Sequence, residues 1–322
     1  MSTLERIPAG DLALPSPLPD EIQRLTMEWL ISFRSPATRR AYRVHLSQWL
    51  AFAASVGIDP LSASRGDGSL WARWLEMPPR SSKPATVAVK LAAVSSWYTY
   101  LSDEDALPLS RFTATARPRL DRSHSETRGL TEAEARAMVA TGDADRSPCA
   151  LRTSAMIRVM LALGPRVAEV SDLEVASLGF ERGHRTLRIV GKGRKARLRN
   201  LPPATAVAVD RYLVARARAA GATVAELEGP LFVTSSGRPV SRRYLFDLVR
   251  RIAKDAGLEQ PESVTPHSLR HTFATLADER GAPISHLQDA LGHASSATTA
   301  VYIHARNRLE QDPSQLVAAA LG

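Results

Sequence analysis

The stretch TPHSLRHTFATL, residues 265–276, places two histidines and an arginine within five consecutive positions. On a helix, positions i, i+3 and i+4 share one face, so His267, Arg270 and His271 are predicted to project together. Histidines four positions apart are also how a helix presents two ligands to zinc. The stretch therefore predicts either a metal site or a site for an anion.

The neighbouring residues do not fit the metal alternative. A zinc protease helix carries a glutamate beside its first histidine, and that position is Ser268 in this chain. Arg270 would repel a divalent cation held between the two histidines, whereas its planar donors suit phosphate oxygens. A histidine beside it can donate or accept a proton near neutral pH. A third alternative stays open at this point, in which Arg270 pairs with a carboxylate and both histidines are packed.

The charge of the whole chain favours an anionic partner. At 322 residues the chain is long enough for two domains, and its net charge is +9. Such a surface favours a polyanion, most plausibly nucleic acid, although charge alone does not separate DNA from RNA or anionic lipid. Lysine is rare, and a lysine can give up a proton where an arginine cannot. The five lysines are Lys83, Lys90, Lys192, Lys195 and Lys254.

The cysteine count and the apolar segments indicate where the protein resides. Cys149 is the single cysteine, so no intrachain disulfide forms, and we assign this thiol a structural role. The first twenty residues contain no apolar run typical of a signal peptide. No stretch approaches the ~20 apolar residues of a membrane span. We therefore expect a soluble, cytoplasmic protein with no membrane partner.

The N-terminal third of the chain is predicted to be a flexible arm, residues 1–19, followed by a four-helix domain, residues 20–105. Ser35 and Pro36 are typical of a helix start, and Arg39, Arg40 and Arg43 lie close behind them. That cluster suits a phosphate backbone, but a solvated face would look the same. Apolar stripes at helical spacing lie within residues 22–33, 36–57, 69–77 and 84–103.

The rest of the chain is predicted to be a linker and a second domain. Residues 106–128 are rich in Pro, Ser, Thr and Arg without a period, which is typical of a mobile cationic tether. The second domain, residues 129–322, opens with a capping box at Thr131 and Glu134. Two alternating segments around GKGRK (191–195) predict a β-hairpin among helices. The predicted fold is therefore mainly α, with a small antiparallel sheet in the second domain.

Five pieces in this order carry a family resemblance: RVAEVSDL, GKGRKAR, HSLRHTFAT, LGHAS and TTAVY. Together they resemble the tyrosine recombinase, or phage integrase, family across roughly residues 20–320. The resemblance implies a core-binding, SAM-like first domain and a catalytic second domain. It implies one active site made of Arg166, Lys192, His267, Arg270, His293 and Tyr302.

The resemblance also implies a role for each of these residues. Tyr302 is the nucleophile and forms a 3′-phosphotyrosyl bond with DNA, and Lys192 is the general acid for the leaving 5′-oxygen. The two arginines stabilise charge on the phosphate. His267 orients or deprotonates the tyrosine and His293 donates a hydrogen bond. Glu169 and His271 support the site, and no metal or other cofactor is required.

Further expectations concern DNA and assembly. The tail helix, residues 313–321, is expected to dock on a neighbouring protomer, giving a homo-tetramer on two DNA sites with inverted-repeat cores. No separate arm-binding domain is expected, as in the simpler, Xer-like type, and an accessory or partner recombinase is left open. The candidate DNA contacts are Arg39, Arg40, Arg43, Lys83, Lys90, Arg194, Lys195, Arg242 and Arg243.

One departure and three alternatives accompany this interpretation. Pro165 stands where relatives often carry an aliphatic residue, and at a first helical turn it is expected to be tolerated. A type IB topoisomerase uses a similar residue set, but the tail helix and four-helix domain favour a recombinase. A telomere resolvase is a further possibility. A non-catalytic DNA-binding protein is disfavoured because all six active-site positions carry competent residues.

Overall fold

The computed structural model describes residues 18–108, 110–119, 128–191 and 195–292. The chain divides into two compact units, residues 1–121 and 122–322, and each is described by itself. Most of the predicted N-terminal arm and the whole predicted tail helix lie outside the described residues. So do four predicted site residues: Lys192, Arg194, His293 and Tyr302.

The first unit is built on four helices, as the apolar stripes predict. Ser35 accepts a hydrogen bond from the backbone N–H of Thr38, and Pro36 occupies the first helical position. The third helix begins earlier than its apolar stripe, because Ser64 and Asp67 form a capping box. The helices are α1 (Asp20–Ser32), α2 (Pro36–Ser55), α3 (Arg65–Glu76) and α4 (Pro84–Asp103).

The core of the first unit is rich in tryptophan. Trp49 and Trp71 are fully buried with ring centroids 5.4 Å apart, and Trp97 donates its indole N–H to the hydroxyl of Thr26 at 2.8 Å. All five tryptophans of the chain lie between residues 29 and 97, inside this unit. Burial of such large side chains supplies much of the unit's hydrophobic stabilisation.

Part of the predicted linker belongs to the first unit. Residues Arg111–Ala114 form a short 3-10 turn, and Phe112 is fully buried against Trp49 and Tyr98. The hydroxyl of Ser110 donates to the carbonyl of Ala63. The polar composition of residues 106–128 predicts a tether throughout, but a single buried phenylalanine is enough to fix this turn to the core.

The second unit is mostly helical with one three-stranded antiparallel sheet in the order β1-β2-β3. The predicted hairpin forms β2 and β3, with Leu187 opposite Arg199, whereas β1 was not predicted. The capping box at Thr131 and Glu134 is present. The elements are α5 (Glu132–Asp143), α6 (Ala150–Leu163), α7 (Val167–Ser171), β1 (Leu178–Glu181), β2 (His184–Val190), β3 (Ala196–Asn200), α8 (Pro203–Ala220), α9 (Arg242–Asp255), α10 (Pro266–Glu279) and α11 (Ile284–Leu291).

Helix α6 runs through the core of the second unit and contacts α5, α8 and α10. Met156, Ile157, Val159 and Met160 are each at most 1% exposed, so a broad face of the helix is apolar and buried. Ser154 and Arg158 lie on the other side and bind the carboxylate of Asp143. It ends at Gly164, which immediately precedes the predicted catalytic arginine segment. None of the helices in the described part of the chain combines the length and apolar character of a membrane span.

Candidate active site

Helix α10 places the histidine–arginine stretch as its spacing predicts. The helix starts at Pro266 behind Thr265, whose side chain exchanges hydrogen bonds with Ser268. His267 is exposed, while Arg270 is only 2% exposed. Arg270 donates from Nη1 to the carbonyl of Gly164 at 2.7 Å and from Nη2 to the carbonyl of Leu291 at 2.6 Å. The buried guanidinium therefore joins the ends of α6 and α11 to α10.

The Gly164 turn makes room for α10. Gly164 ends α6 in the left-handed conformation, with φ of +59°. A Cβ atom at this position would lie 2.6 Å from Cδ1 of Phe273, so a side chain is excluded by contact as well as by conformation. Its carbonyl consequently faces Arg270.

Arg166 begins the next helix, α7, as its N-cap residue. Its backbone N–H donates to Oε2 of Glu169 at 2.8 Å, and its Nη1 lies 3.0 Å from Oε1 of the same carboxylate. Its Nη2 donates to the carbonyl of Gly292 at 3.3 Å, and the side chain is 40% exposed. Pro165 is buried and precedes the cap, so it lies before the helix and not in its first turn as predicted. Arg166 is thus oriented by Glu169 and still accessible to a ligand.

Glu169 is a buried carboxylate held between two arginines. Its side chain is 4% exposed and pairs with Arg166 and with Arg197, whose Nη2 lies 2.7 Å from Oε2. Burial by itself would raise the pKa of Glu169, but hydrogen bonds from Arg197 and from the backbone of Arg166 hold this pKa below its ordinary value. Glu169 therefore stays ionised at neutral pH.

Arg197 is the site residue that the sequence analysis missed. It lies on β3, where Arg197 and Arg199 occupy the half-buried face and Ala196, Leu198 and Asn200 the exposed face. Arg197 donates from Nε to the carbonyl of Ala290 at 2.9 Å, in addition to its pair with Glu169. The alternation of β3 could have identified it, because it places Arg197 and Arg199 on the inner face of the strand. A buried charge needs a partner, so such an arginine is a candidate to bind a buried carboxylate.

Three arginines from three elements converge on the end of α11. Consecutive carbonyls at Ala290, Leu291 and Gly292 accept hydrogen bonds from Arg197, Arg270 and Arg166 respectively. Carbonyls at a helix C-terminus carry partial negative charge and favour cations. The chain continues from Gly292 directly into His293, which lies outside the described residues.

The two histidines of α10 have different surroundings. The pKa of His267 is lowered because the protein partly desolvates the ring and because the charges of Arg270 and Arg166 lie nearby. The pKa of His271 is lowered by burial and by His267, and its Nδ1 lies 3.1 Å from the hydroxyl of Thr275. A Cβ atom on Gly129 would lie only 2.7 Å from that Nδ1, so the His271 ring packs on residues 128–130.

The base of the β2–β3 hairpin lies beside Glu169. The backbone N–H of Gly191 donates to the carbonyl of Lys195 at 2.8 Å. A Cβ atom on Gly191 would lie 3.2 Å from Oε1 of Glu169. Lys192 follows Gly191 directly in the chain and lies outside the described residues. Lys195 is exposed.

The candidate DNA contacts of the first unit lie on α2 and α4. Arg40 and Lys83 are exposed, Arg43 is half-buried, and Arg39 donates to the carbonyl of Phe33 at 2.8 Å. Lys90 has its pKa lowered by burial and by the charge of Arg80. His45 and Arg80, which were not among the predicted DNA contacts, lie near Lys90. The guanidinium of Arg80 stacks over the Trp74 ring, 3.4 Å from its centroid.

The candidate DNA contacts of the second unit begin α9. Arg242 and Arg243 are both exposed, and Nε of Arg243 lies 2.9 Å from a carboxylate oxygen of Asp247. Arg242 and Arg243 are thus positioned at a helix start with their charges in solvent. Arg194, the remaining candidate, lies outside the described residues.

Two sequence profiles match this chain. One, described as "Phage integrase family", matches residues 128–308, and the other, described as "Phage integrase, N-terminal SAM-like domain", matches residues 29–105. The two matched segments correspond to the second and first units.

Among similar curated proteins are two enzymes named tyrosine recombinase. XerD of Xanthomonas axonopodis pv. citri (strain 306) is 40% identical over 200 residues, which cover 60% of this chain and 63% of that protein. XerC of Corynebacterium efficiens is 31% identical over 276 residues, covering 85% of this chain and 83% of that protein. The chain thus spans less than two thirds of the length of the XerD protein that it matches.

Solved structures share the fold at low sequence identity. XerH site-specific recombinase bound to a palindromic difH substrate superimposes with a TM-score of 0.71 at 21% identity, covering 91% of this chain and 88% of that chain. The Tn1549 transposon integrase in complex with circular intermediate DNA gives a TM-score of 0.69 at 18% identity, covering 92% and 98%.

Proposed function

This chain belongs to the phage integrase family, and from that premise we propose that it is a site-specific DNA recombinase acting through a 3′-phosphotyrosyl intermediate. One observation carries the proposal: Arg166 and Arg270, on different helices, reach the adjacent carbonyls of Gly292 and Leu291. Two cationic side chains with planar donors thereby meet at the residues that immediately precede His293 in the chain. Such a pair suits the two non-bridging oxygens of one phosphodiester.

The proposed reaction exchanges one phosphodiester bond for another. The Tyr302 oxygen attacks phosphorus, the bond from phosphorus to the 5′-oxygen breaks, and the tyrosine becomes linked to the 3′-phosphate. The leaving 5′-oxygen takes a proton from Lys192, for which a lysine is suited and an arginine is not. Attack by a 5′-hydroxyl reverses these steps on the same or another strand. No bond energy is lost, so neither ATP nor a metal ion enters the balance.

The surroundings of His267 suit a proton acceptor for Tyr302. The pKa of His267 is lowered by desolvation and by the charges of Arg270 and Arg166, so the ring is neutral at pH 7. A neutral imidazole can accept the phenolic proton as the tyrosine attacks. His293 is proposed to donate a hydrogen bond to the same phosphate, and His271, packed against residues 128–130, to support α10.

The proposed substrate is double-stranded DNA with an inverted-repeat core. In support, the solved relatives XerH and the Tn1549 integrase are described as bound to DNA. The candidate contacts on α2, α4 and α9 would bind phosphates and read base edges. We further propose a homo-tetramer on two sites, with the tail helix docking between protomers. Acting on DNA, the protein is proposed to be cytoplasmic, with an accessory or partner recombinase left open.

Covalent trapping on nicked DNA tests the proposal. A nick beside the cleavage point releases a short fragment, so religation fails and the protein–DNA adduct accumulates. Full-length protein and its Tyr302→Phe variant would be mixed with nicked DNA from the host, and the linked DNA would be denatured, recovered and sequenced. Adducts at one inverted-repeat site, formed by the wild type alone, are the expected result.

Two other outcomes would favour the alternative functions. Adducts scattered over many sequences would favour a type IB topoisomerase. Sequence-specific binding without any adduct would favour a non-catalytic DNA-binding protein. Adducts that persist in Tyr302→Phe would show that another residue is the nucleophile.

A further inference from the structure

Arg197 uses every nitrogen of its guanidinium inside the protein. Nε donates to the carbonyl of Ala290 at 2.9 Å, Nη1 to Oε1 of Glu169 at 3.2 Å and Nη2 to Oε2 at 2.7 Å. Its side chain is 12% exposed, against 40% for Arg166. Because both Nη atoms serve the Glu169 carboxylate, the charge of Arg197 is already paired inside the protein, and we do not expect it to bind a DNA phosphate directly. Any effect on the reaction must pass through the groups it holds.

The first of those groups is the Glu169 carboxylate, which Arg197 helps to saturate. Each carboxylate oxygen accepts two hydrogen bonds: Oε1 from Nη1 of Arg166 and of Arg197, and Oε2 from the Arg166 backbone and Arg197 Nη2. Four bonds fill the four lone-pair sites of a carboxylate. Loss of Arg197 would empty two of them and leave the buried carboxylate free to reorient with Arg166.

The second group is the end of α11. Arg197 holds the carbonyl of Ala290, and Arg166 holds the carbonyl of Gly292 two residues further on. With Glu169 bridging the two arginines, these contacts form a closed ring. The absence of a side chain at Gly292 leaves room for these contacts, because a Cβ atom there would lie 3.1 Å from Nη1 of Arg197. A shift of α11 and a rotation of Arg166 are therefore coupled through Arg197.

We infer that Arg197 is a positioning residue, which holds Glu169 and the end of α11 so that Arg166 meets the scissile phosphate in one orientation. This inference rests on the proposed recombinase function. A preoriented cation contributes to rate because no reorganisation is needed as charge develops on the phosphate. Ground-state DNA binding, by contrast, depends on many phosphate contacts and changes little.

The test compares Arg197→Met with Arg199→Met in the full-length protein. Arg199 is a matched control, since it lies two residues further on the same face of β3 and stacks 5.5 Å from the Phe273 ring. On nicked DNA, single-turnover trapping gives the rate constant of adduct formation and its amplitude, and a binding titration gives Kd. We expect Arg197→Met to lower the rate constant about 100-fold with Kd nearly unchanged, and Arg199→Met to change neither appreciably.

The amplitude of adduct formation and the conservative variant Arg197→Lys distinguish a positioning role of Arg197 from a folding defect. A variant that merely misfolds forms fewer adducts at the normal rate constant, so its amplitude falls instead. Arg197→Lys keeps the charge but lacks the planar fork. It should recover part of the lost rate.

The pH profile gives a second readout. Without Arg197, Glu169 loses the hydrogen bond that most lowers its pKa, and burial then raises it. The loss of rate on acidification should therefore begin at higher pH in Arg197→Met than in the wild type or Arg199→Met.

If the wild type forms adducts and the Arg197→Met and Arg199→Met variants have equal rate constants, this inference is overturned while the proposed function stands. Absence of any adduct from the wild type would overturn the proposed function and this inference with it.

Discussion

Trp49 donates its indole N–H to the phenolic oxygen of Tyr98, 2.9 Å away, inside the core of the first unit. Both side chains are fully buried. The hydroxyl of Tyr98 donates onward to the carbonyl of Pro60 at 2.6 Å, so the pair ties α2 and α4 to the loop before α3. Burial raises the pKa of Tyr98, which keeps the hydroxyl a donor throughout the neutral range.

Replacing Tyr98 with Phe should destabilise the first unit specifically. The change strands the Trp49 N–H in an apolar core, for which we expect a loss of about 1–3 kcal/mol in the free energy of unfolding. Because all five tryptophans lie in this unit, tryptophan emission during urea titration of the full chain reports on it. Tyr100→Phe is the control, since that half-buried ring should change stability by less than about 0.5 kcal/mol. Equal shifts for both variants would contradict the prediction.

Alanine at Gly164 should cost more than alanine at Gly221, although both glycines end helices at positive φ, +59° and +64°. The left-handed conformation costs about 1–2 kcal/mol in each variant. Only at Gly164 does the new Cβ meet a ring, that of Phe273 at 2.6 Å, whereas Gly221 faces open space. Overpacking should add about 1–3 kcal/mol. Calorimetry of the two variants measures the difference in their free energies of unfolding. Equal destabilisation would show that the Phe273 ring moves aside at no cost.

The rate of adduct formation should persist below the pH at which an ordinary histidine becomes protonated. The pKa of His267 lies below its ordinary 6.5, so the neutral, proton-accepting form prevails down to lower pH. As pH falls through this lowered pKa, protonation removes the acceptor and the rate falls. Single-turnover trapping at a series of pH values should place this acid limb below 6.5. In His267→Gln the remaining loss of rate should begin at lower pH, where Glu169 becomes protonated. A limb above 6.5 would contradict the assignment.

Arg242→Gln should weaken DNA binding and reduce its salt dependence. If Arg242 neutralises one phosphate, the slope of log K against log[salt] should become shallower by about 0.9. Arg250→Gln provides the comparison, because Arg250 is an exposed arginine on the same helix, two turns further along. Fluorescence anisotropy between low and moderate salt measures both slopes. Identical slopes for the two variants would remove Arg242 from the set of phosphate contacts.

Local signals in the sequence predicted the main helices and the face of α10. Ser35 and Pro36 mark the start of α2 by capping and conformation, which depend on a few adjacent residues. The segment His267–His271 needed only helical spacing to be placed together. Strand β1 was missed because four residues, LGFE, carry too short an alternation to recognise.

Contacts between segments that are distant in the chain leave no local pattern in the sequence. Arg197 joins Glu169, 28 positions away, and Ala290, 93 positions away, and no local pattern encodes either partner. Phe112 lies in a polar stretch, and its burial depends on a cavity formed by α2, α3 and α4. Composition describes the average character of a segment, whereas one large apolar side chain decides where it packs.

The arginines at the end of α11 hold main-chain oxygens, which every type of residue supplies. Outside its buried apolar positions, this helix is therefore expected to tolerate broad substitution without disturbing these contacts. The length of α11, by contrast, is expected to be kept, because inserting or deleting one residue turns the helix end by about 100° and presents different carbonyls to the arginines. Related chains should consequently differ in composition between Ile284 and Gly292 while keeping the same number of residues there.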